Sequence, residues 1–313
     1  MRRQLETTLD LLDEGLRLYR RGFVTFALLA ALGFAPLIVG VGTTFAAARY
    51  WSSEAIVLLV LAWLVAGVLL LLYCTGAMSR VAIALRARQN PGLRAVLGMG
   101  PLRTASMGCF GLIYGMLVNV IISLGSCIIF LPLSCFMSLG FGAASGAAAS
   151  LGEIGAALAS FLLSLALLTT IVLYGISLVL SGAGYSWMLY GIQPFVLSDM
   201  PVRRAMSHSF DLLFYQFWRN LLVFFGASAI FSALTVAVTI AVGVLLPLPL
   251  YIALGPDSLW AQGLSASAWL LGLVLVLPPM PIWMTLLYER NRRDRDGDAL
   301  IERVALLAHE AGG

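Results

Sequence analysis

Long apolar stretches alternate along this chain with short segments in which the charged residues cluster. A helix needs about 20 apolar residues to cross a hydrocarbon core of roughly 30 Å. Six stretches reach that length without Asp, Glu, Lys, Arg or His, approximately residues 23–48, 55–78, 107–136, 156–179, 221–246 and 266–287. The pattern therefore predicts six transmembrane helices.

The composition agrees with a protein that lives in a membrane. Of 313 residues, 61% are hydrophobic and only 11% are charged, and the mean hydropathy is +0.97. A soluble domain of this size cannot bury that much apolar surface, so we predict an integral membrane protein. Acidic residues interrupt the first 22 residues, which therefore do not match a cleavable signal peptide.

The basic residues assign the two sides of the membrane. All nineteen are arginines, and eighteen of them lie before the first predicted span, between spans two and three, between spans four and five, or after span six. The other loops contain only Arg49. Because basic residues accumulate on the cytoplasmic side, we predict that both termini are cytoplasmic.

The segments leading into the odd-numbered spans, here called lead-ins, resemble one another. In the third lead-in, Asp199 is a predicted N-cap, Pro201 lies in the first turn, and one side of the helix is apolar. That side consists of Val202, Met206, Phe210, Leu213, Phe214 and Phe217. The first lead-in aligns with it, so that Leu16, Leu18 and Phe23 match Phe210, Leu212 and Phe217. The second lead-in shares only a Pro-x-x-Arg-Ala spacing, from Pro91 to Ala95.

We therefore predict an all-α integral membrane protein that forms a single membrane domain. Its six transmembrane helices form three hairpins, each preceded by a cytoplasmic interfacial amphipathic helix. The approximate units are residues 1–88, 89–198 and 199–313. The alternative is that any segment entering a membrane is amphipathic and rich in arginine.

A few positions interrupt the apolar stretches. Asn119 is the most deeply placed strongly polar residue, and we expect it to form a hydrogen bond across helices. Prolines inside the spans predict kinks, which can also line a cavity. These prolines are Pro36, Pro132, Pro278, Pro279 and Pro281.

Two further stretches depart from a simple hairpin. The fourth apolar run continues past Val179, so we expect a bend near Gly182 and Gly184 or a segment lying on the membrane surface. The small-residue stretch Leu139–Ala157 is interpreted as either a re-entrant segment or a loop.

No motif for catalysis, cofactors or metals stands out. The only histidines are His208 and His309, both in predicted cytoplasmic segments, and Asp211 lies one helical turn from His208. Hydrolase, nucleotide-binding and dinucleotide-binding patterns do not occur in the sequence. We therefore predict a protein that is not an enzyme and has no cofactor.

Five arginines recur near the starts of the three units, at predicted headgroup depth. Basic residues attract anionic lipids, and a guanidinium binds phosphate through paired hydrogen bonds. We interpret them as contacts for anionic phospholipid, with topology signals as the alternative. They are Arg20, Arg21, Arg94, Arg203 and Arg204.

Three segments resemble a known bacterial family. They are EGLRLYRRGFVTFALLAALGFAPLIVG, QPFVLSDMPVRRAMSHSFDLLFYQFWRNLLVF and the tail TLLYERNRRDRDGDALIERVALL. They are similar to the membrane domain attached to some glycerophosphodiester phosphodiesterases and to its free-standing relatives of unknown function. The resemblance covers nearly the whole chain. It implies a six-span protein of the bacterial inner membrane and no catalytic residue, because the phosphodiesterase barrel is a separate domain.

The leading functional prediction is a non-enzymatic multi-pass inner-membrane protein. It would handle or scaffold a membrane-resident lipid, an amphiphile or partner membrane subunits, as a homo-oligomer or with other chains. The alternative is a permease subunit for a hydrophobic substrate, working with a separate ATPase. A membrane-embedded enzyme is the weaker alternative, and nothing in the pattern favours nucleic acid.

Overall fold

The structure is a computed structural model in which the described residues form helices and no strands. It describes residues 2–48, 50–89, 97–98, 104–124, 126–127, 152–198, 200–255 and 258–297, with the single positions 100, 138 and 304. The main helices are α1 (Arg2–Arg21), α2 (Phe23–Ala47), α3 (Ser53–Arg86), α4 (Thr104–Leu124), α5 (Gly152–Leu197), α6 (Val202–Tyr215), α7 (Phe217–Val238), α8 (Leu248–Leu254), α9 (Leu259–Val276) and α10 (Pro279–Asp296). A π-helical segment, Thr239–Leu245, joins α7 to α8.

Six helical segments of the described residues are long and apolar enough to cross a membrane, which confirms the predicted number and the all-α class. They are Phe23–Ala47, Ser53–Arg86, Thr104–Leu124, Ser160–Leu197, Phe217–Leu254 and Leu259–Asp296. Several are longer than predicted, because helical hydrogen bonding continues after the apolar run has ended. The helix α3, for example, extends to Arg86.

The helix α10 lies at the centre of the bundle. Every residue from Val276 to Tyr288 is buried, and α10 contacts α1, α3, α5, α6 and α7. The Trp283 indole donates a hydrogen bond to the carbonyl of Leu12 at 2.9 Å, and its ring fills the space beside Gly15 where a Cβ would lie. Helix α1 is therefore held against the bundle core through α10.

The prolines of the sixth span interrupt it as predicted. Helix α9 ends at Val276 and α10 begins at Pro279, because a proline nitrogen cannot donate the hydrogen bond that would continue the helix. Pro36 is tolerated inside the continuous helix α2. Pro132 lies outside the described residues.

Helical hydrogen bonding continues without a break through Gly182 and Gly184, where we expected a bend or a segment lying on the membrane surface. Helix α5 is a single helix of 46 residues from Gly152 to Leu197. Both glycines instead allow close packing, since a Cβ at Gly182 would collide with Ser228 and one at Gly184 with Ile122. Of the stretch 139–157, the structure describes only the part from Gly152 onward, which is the start of this helix.

The lead-in helices α1 and α6 have matching relations to the spans that follow them. Each is followed by one non-helical residue, Gly22 or Gln216, and then by a spanning helix. Phe23 and Phe217, which begin those spans, are exposed to a similar degree, 44% and 40%.

The burial pattern repeats at the same offset in the chain. Eight pairs of positions, each separated by the offset from Phe23 to Phe217, are buried in both copies. They are Leu11 and Ala205, Gly15 and Ser209, Leu18 and Leu212, Phe26 and Asn220, Leu29 and Val223, Ala30 and Phe224, Gly33 and Ala227, and Phe34 and Ser228. The first and third lead-ins thus dock in the same register. The second lead-in lies largely outside the described residues, and the division into three units stays a prediction.

The apolar side predicted for α6 is divided between two environments. Leu213 is buried against the protein, whereas Met206 and Phe214 are exposed, Phe214 at 64%. The protein-facing side also includes Ala205, Ser209 and Leu212. Such a helix has protein on one side and presents apolar residues on another, as an interfacial helix does. It begins at Val202, after Pro201, and Asp199 lies outside the described residues.

Candidate functional sites

The arginines proposed to contact lipid lie on the surface of the bundle. Arg20 and Arg21 end α1, Arg203 and Arg204 lie in the first turn of α6, and all four are exposed. None of the four forms an ion pair in the part of the chain that the structure describes. No described contact joins the two pairs, and Arg94 lies outside the described residues. The structure therefore does not assemble these arginines into one site.

Other arginines point inward and cross-link helices at the end of the bundle that carries α1 and α6, here called the arginine-rich end. Arg219 of α7 pairs with Asp294 of α10 at 2.9 Å. The Nε atom of Arg86 in α3 pairs with Glu14 of α1 at 3.0 Å. The Nη1 atom of the same side chain lies 3.8 Å from Glu289 of α10. These ion pairs connect both lead-in regions to α10.

A buried polar network lies beside these ion pairs. The Asn291 amide nitrogen donates to the Tyr190 hydroxyl and to the Asn220 amide oxygen, each at 2.8 Å. Asn220 in turn donates to the carbonyl of Leu213 at 2.8 Å, and Arg219 donates to the Asn291 oxygen. The network joins α5, α6, α7 and α10.

A second set of buried polar contacts joins α5 and α10. The Thr285 hydroxyl contacts the Gln193 amide oxygen at 3.2 Å, and Gln193 also donates to the carbonyl of Leu189 at 3.0 Å. Farther toward the arginine-rich end, the hydroxyls of Ser198 and Tyr288 lie 3.2 Å apart. Because these groups bond to one another, the arrangement fits helix–helix attachment better than ligand binding.

This network was not predicted from the sequence. Gln193, Asn220 and Asn291 lie outside the predicted spans, where polar residues are expected to be solvated. A signal was nevertheless present for Asn220 and Asn291, because a neutral amide within four residues of an apolar span can bond to a neighbouring helix. Asn119, in contrast, was expected to bond across helices but is exposed and makes no hydrogen bond within the described part of the chain. Its side of α4 faces outward.

Two apolar pockets lie toward the opposite end of the bundle, on either side of Phe45. The first, here called the rim pocket, has a volume of about 330 Å³ and lies between the end of α2 and the start of α9. The second, the inner pocket, has a volume of about 300 Å³ and lies among α2, α3 and α9. The rim pocket is lined by Gly42, Phe45, Ala46, Tyr50, Leu259, Trp260, Gly263, Leu264 and Ser267.

Among the described residues, neither pocket has a charged lining residue, and both pockets are open at the surface. Aromatic residues surround the rim pocket, where Tyr50 is 84% and Trp260 68% exposed. Exposed Tyr and Trp at a span's end are typical of the boundary between hydrocarbon and headgroups. Tyr50 and Trp260 therefore place the rim pocket at the membrane boundary opposite the arginine-rich end.

A third cavity lies between α4 and α5. This α4–α5 groove has a volume of about 330 Å³ and is lined by glycines, apolar side chains and three polar residues. The polar residues are Asn119, Ser181 and Tyr185. The groove shares no lining residue with the two apolar pockets.

The structure offers no metal site among the residues it describes. No group of three or more His, Cys, Asp or Glu side chains there is arranged to bind a metal ion. His208 of α6 lies edge-on to the Tyr288 ring, with the ring centres 6.4 Å apart. Burial, reinforced by nearby Arg295, lowers the pKa of His208 from its ordinary value, and Asp296 and Asp211 oppose this shift. Its contact with Tyr288 is ring packing, and no second acid–base group within the described part of the chain forms a hydrogen bond with it.

Comparison with known proteins returns no match. No family model, no curated protein and no solved structure is similar to this chain.

Proposed function

We propose that this multi-pass membrane protein is not an enzyme and handles a membrane-resident lipid or amphiphile. The observation that carries the proposal is the pair of pockets flanking Phe45, which open at the surface of the spanning bundle and whose described lining is mainly apolar. Their volumes lie at the lower end of the roughly 300–1,000 Å³ typical of small-molecule sites. An acyl chain is the ligand that we assign to them.

Shape, and not hydrophobicity, has to select such a ligand. An acyl chain in the bilayer is already surrounded by hydrocarbon, so moving it into a pocket gains little from the hydrophobic effect. A chain is retained where the walls fit it closely, because each close atomic contact adds a small dispersion energy. Rigid aromatic walls serve this purpose, and the inner pocket is lined by Trp63, Trp269 and Phe45.

The exposed arginines at the other end provide a separate contact with lipid. Arg20, Arg21, Arg203 and Arg204 are unpaired in the described part of the chain and adjoin lead-in helices that present apolar residues outward. We propose that they bind the phosphates of anionic phospholipids in the cytoplasmic leaflet. They would also hold α1 and α6 at the membrane surface, at about 1 kcal/mol for each basic residue.

The rival functions receive less support. A permease of the broken-helix type places its helix break beside a cavity, but Leu277 and Pro278, at the break in span six, are buried. The resemblance to the membrane domain of glycerophosphodiester phosphodiesterases is compatible with lipid handling and stays a prediction. A homo-oligomer or partner membrane subunits stay equally open.

The rim pocket can be filled by a single substitution. A side chain added at Gly42 meets no protein atom within 4 Å and would occupy the pocket. We expect native mass spectrometry of gently extracted protein to show lipid in fixed stoichiometry. We expect the Gly42→Leu variant to lose at least part of that lipid while its fold is retained.

A matched control is Gly175→Leu. Gly175 also has open space around it and lies on the outward side of α5, but it lines none of the three cavities. This variant should retain the wild-type lipid. Equal retention by the wild type and both variants would contradict lipid binding in the rim pocket.

A further inference from the structure

The α4–α5 groove carries polar groups that have no hydrogen-bond partner among the residues that the structure describes. Asn119, Ser181 and Tyr185 line it, and none of them makes a hydrogen bond within the part of the chain that the structure describes. Other hydroxyls of α5 do bond to their own helix. Thr169, Thr170 and Ser186, for example, donate to the carbonyl four residues earlier at 2.8, 2.8 and 2.9 Å. The groove therefore has unused hydrogen-bonding capacity.

The groove lies well inside the spanning part of the bundle. On α5, Ser181 precedes Tyr190 by nine residues, which corresponds to about 13 Å along the helix. Tyr190 is joined through Asn291 to Asn220, only three residues into α7 from the lead-in helix α6. The level of Ser181 is thus close to the middle of a hydrocarbon core roughly 30 Å thick. Unpartnered polar side chains are costly at that depth.

The chemistry of the lining restricts the ligand. The described lining of the groove contains no charged residue, and its remaining walls include Leu112, Met116 and Met188. An amide and two hydroxyls can both donate and accept hydrogen bonds but cannot neutralise a phosphate. The complementary ligand is an uncharged molecule that combines an apolar body with hydroxyl or carbonyl groups.

We propose that the α4–α5 groove binds a neutral amphiphile, with its hydroxyl or carbonyl group hydrogen-bonded to Asn119, Ser181 and Tyr185. This second site does not rest on the pockets flanking Phe45, because it uses different helices. Its ligand also differs from the anionic phospholipids assigned to the exposed arginines. Loss of ligand binding in the groove would therefore leave lipid binding at the pockets and at the arginines intact.

The test uses dioleoylglycerol as a neutral probe in nanodiscs of phosphatidylcholine. A ligand that binds only the folded protein raises the unfolding temperature, and the rise grows with the ratio of ligand concentration to Kd. We expect dioleoylglycerol to raise the unfolding temperature of the wild-type protein and dioleoylphosphatidic acid to have a smaller effect. The double variant Asn119→Leu/Tyr185→Phe should bind the neutral probe about tenfold more weakly, because two hydrogen bonds of about 0.5–1.5 kcal/mol each are lost.

Both substitutions keep the packing of the bundle. Asn119 is exposed, and Phe at position 185 retains the ring contact with Phe231, whose centre lies 6.2 Å away. Thr169→Val, which removes an outward hydroxyl of α5 away from the groove, is the matched control and should keep the wild-type response.

Three results would overturn the proposal. The first is no stabilisation of the wild type by dioleoylglycerol. The second is an equal response in the wild type and the double variant. The third is a wild-type oligomer that the double variant loses, since this would assign the groove to a neighbouring transmembrane helix.

Discussion

The substitution Asn291→Leu tests whether the buried polar network holds the bundle together. Leucine has the same branched outline and number of side-chain heavy atoms as asparagine but no polar atom, so the change removes the hydrogen bonds while the shape of the side chain is retained. Asn291 is fully buried and bonds to Tyr190, Asn220 and Arg219. The substitution leaves all three of these groups short of a partner.

The expected loss in the free energy of unfolding is about 3 kcal/mol. A buried polar group left without its partner costs roughly 1–3 kcal/mol, and both Tyr190 and Asn220 are fully buried. Arg219 is less affected because it keeps Asp294. Hydrogen bonds between transmembrane helices have been found to be weaker, about 0.6 kcal/mol on average, which would place the total below about 2 kcal/mol. We expect the larger value because the side chains that lose their partner, Tyr190 and Asn220, are fully buried.

The assay is equilibrium unfolding in mild detergent, followed by tryptophan fluorescence. The double variant Asn220→Leu/Asn291→Leu should lose less stability than the two single variants added together, since it removes both partners of one hydrogen bond. The fold accepts an apolar residue at the equivalent place of the first unit, which is Phe26. The control Asn119→Leu should cost almost nothing, because Asn119 is exposed.

A loss below about 0.5 kcal/mol for Asn291→Leu, which is within the range of ordinary surface substitutions, would refute this reasoning. Strict additivity of the two leucine substitutions would also refute it, because the two asparagines would then be energetically independent.

Three further predictions concern packing, pH and orientation. Gly15→Ala should lower the free energy of unfolding by about 1–3 kcal/mol, because the new Cβ would collide with the buried Trp283 ring; an unchanged melting curve would mean that α1 docks differently. Burial lowers the pKa of His208 below its ordinary value of 6.5. Below that pH, the unfolded chain therefore binds a proton at this histidine more readily than the folded protein does. Stability should therefore fall as the pH drops below about 6.5, and His208→Gln should lack that part of the loss in melting scans from pH 8 to pH 5. In a background without native cysteines, an impermeant thiol reagent added outside intact cells should label Ser52→Cys and not Gln89→Cys; the reverse result would invert the predicted topology.

The spans and lead-ins could be predicted from the sequence because hydrophobic periodicity is a local property of the chain. Six apolar runs of sufficient length correctly predicted six spanning helices. The prolines at positions 278, 279 and 281 correctly predicted the break before Pro279. The alignment of the first and third lead-ins anticipated the shared burial at Leu18 and Leu212.

The partners of polar groups could not be predicted, because they depend on which helices meet. Asn119, inside an apolar run, proved to be exposed, whereas Asn291, in a charged segment, is fully buried. The central position of α10 in the bundle could not be predicted either, because its sequence contains prolines and a charged end. From the sequence alone, Gly182 and Gly184 indicate a bend. In the fold, the missing side chains leave space for Ser228 and Ile122, respectively. The three cavities arise from the spacing between helices, which no local pattern encodes.

Photo-crosslinking is the most direct test of lipid handling by the pockets flanking Phe45. The protein would be reconstituted with a phospholipid carrying a diazirine on one acyl chain, illuminated, and mapped by peptide mass spectrometry. Residues 160–176 of α5 provide the internal standard, because they are mostly exposed and line none of the three cavities. We expect crosslinks to concentrate on the two segments that line the rim pocket, residues 42–46 and 259–263. We also expect Gly42→Leu to remove this excess. Labelling that simply follows exposure, with α5 labelled most heavily and no effect of Gly42→Leu, would contradict it.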